Sequence, residues 1–94
     1  MVDSKSKVLV IYSGKVQGVG FRYSVCDIID GFNLSGYVKN ISNGDVELCV
    51  EGENEQLMAF LEKIESSHLK NYIIEAKKQW SKYNNEFTGF NIRR

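Results

Sequence analysis

The chain contains no proline, one histidine (His68), two cysteines (Cys26 and Cys49) and no net charge. Without proline, the turns fall to glycine and asparagine. Two cysteines and one histidine are too few for a zinc site, and the distance between the cysteines argues against a metal-binding pair. Cys26 falls in an apolar-periodic run and Cys49 on the polar side of an alternating one, so the two are expected to point apart as free thiols, in keeping with a reducing compartment. Twelve basic residues balance 12 acidic ones with no basic block, so the electrostatic footprint of a nucleic-acid or membrane-surface binder is missing. Any attraction for an anion must be local. No hydrophobic run reaches transmembrane length, and the polar start Met1-Val2-Asp3-Ser4-Lys5-Ser6-Lys7 lacks the apolar middle of a signal peptide. A cytoplasmic location is expected. Ninety-four residues suffice for one domain with one core.

What is present in unusual density is glycine, between residues 13 and 22. Ser13-Gly14-Lys15-Val16-Gln17-Gly18-Val19-Gly20-Phe21-Arg22 sits between an apolar strand-like run and an amphipathic helix-like run. Glycines allow positive φ and let backbone N–H groups converge, and a following helix adds free N–H groups and the positive end of its dipole. Arg22 contributes a planar, permanently charged fork. A cation in a first helical turn opposes the dipole, a conflict that a bound anion removes. The spacing matches neither the dinucleotide fingerprint nor the nucleoside-triphosphate loop, which disfavours nucleotide binding.

Lys7 to Ser13 is apolar at both parities, as in a strand inside a sheet. Phe21, Val25, Ile28, Ile29 and Phe32 recur at helical spacing and predict a helix over 22–32, with Asn33 as a left-handed stop. Tyr37 to Ser42 and Asp45 to Gly52 read as strands joined by the hairpin signal Asn43-Gly44. In the second of them Val46, Leu48 and Val50 face one way, while Asp45, Glu47, Cys49 and Glu51 face a side expected to be wet. Asn54 is the expected N-cap of a second helix striped by Leu57, Phe60, Leu61 and Ile64, with Glu55 suiting its dipole. Tyr72 to Trp80 predicts a fourth, edge strand, and Phe87 to Ile92 a short fifth. The order gives an α+β, ferredoxin-like sandwich: βαββαβ plus a short C-terminal strand, with two helices on one face of a mainly antiparallel sheet. Right-handed crossovers make the first two strands parallel, which brings Asn40, at the end of the second, to the glycine loop and Arg22.

Other constellations are poorer. Lys15 and Lys39 read as solvated charges near the mouth, and Glu47, Glu51 and Glu53 as a wet face rather than an acid–base pair. His68 reads as surface loop, remote from the glycine stretch, so no Ser-His-Asp or Cys-His arrangement assembles. Tyr12, Tyr23 and Tyr37 lack the clustered basic residues of a base-stacking surface. Ser42 shares the parity of Asn40 and is a candidate partner within the site.

The segment Gly14 to Arg22, followed by Leu34-Ser35-Gly36-Tyr37-Val38-Lys39-Asn40 and Asn43-Gly44-Asp45-Val46-Glu47, resembles the acylphosphatase family over nearly the whole chain. The resemblance implies a single acylphosphatase-like domain over 7–94 after a flexible tail, 1–6. It implies an acyl phosphate phosphohydrolase that splits a carboxyl-phosphate anhydride with a positioned water and without metal or organic cofactor. By the same resemblance, the amides of Val16, Gln17, Gly18, Val19, Gly20 and Phe21 and the Arg22 fork bind phosphate, and Asn40 orients the water. The implied partners are a small-molecule acyl phosphate and inorganic phosphate or a similar anion; the charge balance points to no nucleic acid or membrane, and a monomer is the simplest unit. Asn33 and Asn43 depart from the glycine and aspartate usual in similar sequences, and the link from Ser66 to Tyr72 lacks their glycine and proline. A non-catalytic anion-binding regulatory module remains the alternative, separated by an acyl phosphate hydrolysis assay. Ferredoxin-like RNA binding would need a basic surface.

Overall fold

A computed structural model describes residues 4–94. The elements are β1 (Lys5–Gly14), α1 (Phe21–Ile29), β2 (Ser35–Asn40), β3 (Val46–Glu53), α2 (Asn54–Ser66), a short 3-10 helix (His68–Asn71), β4 (Ile73–Lys82) and β5 (Phe90–Arg93). The sheet order is β4-β1-β3-β2-β5. The β1–β3, β1–β4 and β2–β3 pairs are antiparallel and β2–β5 is parallel, so the ferredoxin-like arrangement carries an added edge strand beside β2. Of the expected tail 1–6, residues 1–3 lie outside the described residues, while Lys5 and Ser6 pair with Glu53 and Gly52.

The core lies between the sheet and the two helices. Val8, Val10 and Tyr12 of β1, Val46, Leu48 and Val50 of β3, and Val38 of β2 meet Phe21, Val25 and Ile29 of α1 and Leu57, Phe60, Leu61 and Ile64 of α2. These are the period-2 and period-3.6 apolar sets of the sequence closing on one another.

Several boundaries differ from expectation. α1 stops at Ile29, before the predicted 32, because Asp30 to Phe32 continue as turns and the Phe32 ring meets Phe60 at 5.6 Å. Asn33 does not take the left-handed conformation; its N–H donates to Gln56 Oε1 at 3.2 Å. Asn54 is the first residue of α2 rather than its cap, and Glu53 occupies the cap position. β2 ends at Asn40, so Ser42 falls in the turn.

The expected wet face is the larger correction. Cys49 and Glu51 are 7% and 1% exposed. Residues 83–89 lie over this face: the Phe87 N–H donates to Glu51 Oε2 at 2.9 Å, and its ring meets Tyr37 edge-on at 5.7 Å. Tyr37 donates its hydroxyl proton to Glu47 Oε2 at 2.7 Å, the Arg93 guanidinium lies 4.0 Å above the Tyr37 ring, and Lys7 pairs with Glu86. Alternation reports polarity, and polar side chains can be covered when each finds a partner. Both cysteines are free, and burial pushes both thiols upward in pKa.

Candidate active site

The site lies at the end of the sheet where β1 and β2 terminate. Both strands run antiparallel to β3, hence parallel to each other, and Tyr12 and Asn40 are both register partners of Val46. One row across the sheet therefore carries Tyr12, Val46 and Asn40. Phe21, the first residue of α1, sets its ring 5.3 Å from that of Tyr12. This contact pins the start of the helix above the row that ends in Asn40. Burial also raises the Tyr12 phenol pKa.

Two glycines make the connection between β1 and α1 possible. A Cβ on Gly14 would fall 2.2 Å from the Tyr72 carbonyl oxygen, at φ +132°, so only glycine admits β4 this close. Gly20, at φ 76° and ψ 21°, occupies the N-cap of α1 in the left-handed region. It offers no capping side chain, and the first turn contains no acidic residue. The first helical bond runs from the Ser24 N–H to the Gly20 carbonyl at 3.0 Å, which leaves the N–H groups of Phe21, Arg22 and Tyr23 without intrahelical acceptors.

Val16, Gly18, Gly20, Phe21, Arg22, Tyr23 and Asn40 line one cavity of about 100 Å³. Asn40 Oδ1 is buried there and has no hydrogen-bond partner among the described residues, nor does any carboxylate among them pair with Arg22. A buried, unpaired amide oxygen costs on the order of 1–3 kcal/mol. Together these features form an anion-receptive hollow with one acceptor positioned in its wall.

Not every residue of the predicted loop lines the cavity. Val19 packs against the core. Gln17 turns its side chain away, and its Nε2 donates to the Ile41 and Asp45 carbonyl oxygens, each at 2.8 Å. Sequence reasoning missed this clasp, because nothing in residue spacing announces an amide spanning 24 or 28 positions. Ser42 is exposed and does not line the cavity. His68, expected to be remote, packs beside α1 with Nε2 3.2 Å from Ser24 Oγ, and no carboxylate among the described residues bonds to its ring. Among the described residues no group of three or more His, Cys, Asp or Glu side chains is placed to hold a metal, and no helix is long and apolar enough to cross a membrane.

Fold and cavity together define a small α+β domain with a cavity, lined by Arg22 and Asn40 among others, at a strand-to-helix junction. A model of the acylphosphatase family matches residues 8–92. An acylphosphatase from Bacillus licheniformis is 39% identical over 83 residues, covering 88% of this chain and 92% of the relative. One from Caldanaerobacter subterraneus subsp. tengcongensis is 30% identical, covering 94% and 98%. The crystal structure of acylphosphatase from Bacillus subtilis superposes with a TM-score of 0.86 at 31% identity, covering 95% of this chain and 99% of that one. Full-length HypF in its phosphate- and nucleotide-bound form also gives 0.86 at 32% identity, matching all of this chain and 12% of HypF. The chain belongs to the acylphosphatase family, and its activity is hydrolysis of acyl phosphates.

Proposed function

We propose that the cavity holds the phosphoryl group of an acyl phosphate and that Asn40 places the water that attacks it. The observation that carries this reading is the Oδ1 of Asn40, buried and without a hydrogen-bond partner among the described residues, in the wall of a cavity that Arg22 also lines. Loop amides from Val16 to Phe21 and the Arg22 guanidinium take the phosphoryl oxygens, with Arg22 spanning two of them. Asn40 Oδ1 accepts a hydrogen bond from the attacking water and fixes its approach opposite the carboxylate leaving group. A mixed anhydride is already activated, so positioning and stabilisation of charge on the phosphoryl oxygens account for most of the barrier reduction.

No carboxylate or histidine lines the cavity among the described residues. In this reading the proton lost by water passes to the phosphate itself, and the reaction yields a carboxylate and inorganic phosphate. The pH profile of kcat then follows ionisation of the substrate phosphate. A profile that instead tracks an enzyme carboxylate overturns this step. The direct test is release of inorganic phosphate from acetyl phosphate or benzoyl phosphate by the purified chain, with inorganic phosphate as a competitive inhibitor. The working unit in this reading is a cytoplasmic monomer acting on a small molecule, since one chain supplies every group it uses. Gel filtration at assay concentration checks the monomer.

A further inference from the structure

We propose that the Tyr23 ring is the platform on which the acyl group of the substrate lies, and that it favours planar aromatic acyl phosphates over short aliphatic ones. The inference rests on the reading of the cavity as a phosphoryl site and adds the part of the substrate that the cavity cannot hold. The hollow encloses about 100 Å³. Pockets that engulf an organic ligand start at about 300 Å³. A phosphoryl group therefore occupies the space, and the acyl group, joined through the anhydride oxygen, rests outside against whatever borders the mouth.

The lining residues leave one candidate for that border. Val16 and Phe21 are buried below the opening. Gly18 and Gly20 bring no side chain and have nothing within 4 Å of where a Cβ would stand, so the opening is unobstructed on their side. Arg22 and Asn40 are polar and engaged with the phosphoryl group and the water. Tyr23 lines the same cavity yet is 69% exposed, and its ring makes no aromatic contact among the described residues. The other large exposed hydrophobic residues, Met58, Ile74 and Trp80, lie on α2 and β4 and line none of this cavity. A flat π-face at the mouth of a polar hollow accepts an offset-stacked or edge-on aromatic ring. A methyl group offers it little.

The test is the ratio of kcat/KM for benzoyl phosphate to that for acetyl phosphate in the unsubstituted chain, Tyr23→Ala and Tyr23→Phe. The ratio is expected to fall about threefold to tenfold in Tyr23→Ala and to hold in Tyr23→Phe, from the usual strength of an aromatic pair. An unchanged ratio in Tyr23→Ala overturns the platform. General damage to the site lowers both substrates together and leaves the ratio where it was. A second measurement separates this inference from the hydrolase reading beneath it. Phenacylphosphonate and acetonylphosphonate replace the anhydride oxygen with methylene and cannot be hydrolysed, so their dissociation constants report the platform without turnover. Tighter binding of the phenacyl compound, with the difference collapsing in Tyr23→Ala, supports the platform; equal affinities in the unsubstituted chain overturn it. Failure to hydrolyse either acyl phosphate counts against the hydrolase reading alone.

Discussion

The fold contains two strand-helix-strand units, β1-α1-β2 and β3-α2-β4, and they treat the start of the helix in opposite ways. In the second unit the chain passes from Glu53 at the end of β3 straight into Asn54, and Glu55 supplies a negative charge in the first turn. In the first unit six residues separate β1 from α1, the cap is a left-handed glycine, no acid occupies the first turn, and Arg22 sets a positive charge against the dipole. The second arrangement satisfies its own helix. The first leaves donors, dipole and cation all seeking the same thing, an anion. Two units with one topology thus differ in whether the chain itself completes the helix start, and the one it leaves incomplete borders the proposed site.

Arg22→Ala breaks the contrast most severely. It is expected to lower kcat/KM about 10³-fold or more and to abolish inhibition by inorganic phosphate. The same substitution removes the clash with the dipole, so thermal unfolding should show stability unchanged or raised by about 0.3–1 kcal/mol. A large loss of stability would mean that Arg22 holds the fold together and that the contrast has been misread.

Asn40→Ala separates the two halves of the site. A fall in kcat of about 10²-fold, with the inhibition constant of phosphate moving only a few-fold, is the expected result in steady-state kinetics. Equal loss of phosphate affinity would move Asn40 from the water to the phosphate.

Gln17→Ala tests whether the clasp matters to chemistry or only to folding. Two hydrogen bonds at about 1 kcal/mol each set the expected destabilisation in urea melts at about 1–2 kcal/mol, since Ile41 and Asp45 keep a second backbone donor on their carbonyls. Asn40 adjoins Ile41, and a slackened turn should also lower kcat about tenfold. Unchanged kcat beside lost stability would confine Gln17 to the fold.

Glu55→Gln, in the second unit, is the smallest change. Stability should drop by about 0.3–1 kcal/mol at low salt, less at high salt, with kcat/KM untouched. Any loss of activity there would show that the two helix starts are coupled, which the contrast denies.

Much of the fold was legible before any coordinates. The stripe on α2, the alternation of Val46, Leu48 and Val50, and the Asn43-Gly44 turn are local signals, and they appear where expected. The pairing of the glycine loop with Asn40 was also legible, because handedness and strand order bring two strand ends to one edge. The back of the sheet was not. Glu51 reads as a wet residue until the Phe87 N–H, 36 positions on, arrives to bond it. Nor could the 3-10 turn that sets His68 beside Ser24 be read from a link with no apolar period.

Residue type and spacing alone therefore determined the helices, the strand faces, the turn and the glycines that permit the loop, because each depends on steric and solvation preferences acting within a few residues. Only the tertiary structure decided that Gln17 faces away from the cavity, that Asn40 Oδ1 is left without a partner among the described residues, and that Tyr23 lines the cavity while staying exposed. Those three facts depend on which backbone carbonyls and empty volumes distant segments bring together, and only chain closure creates them.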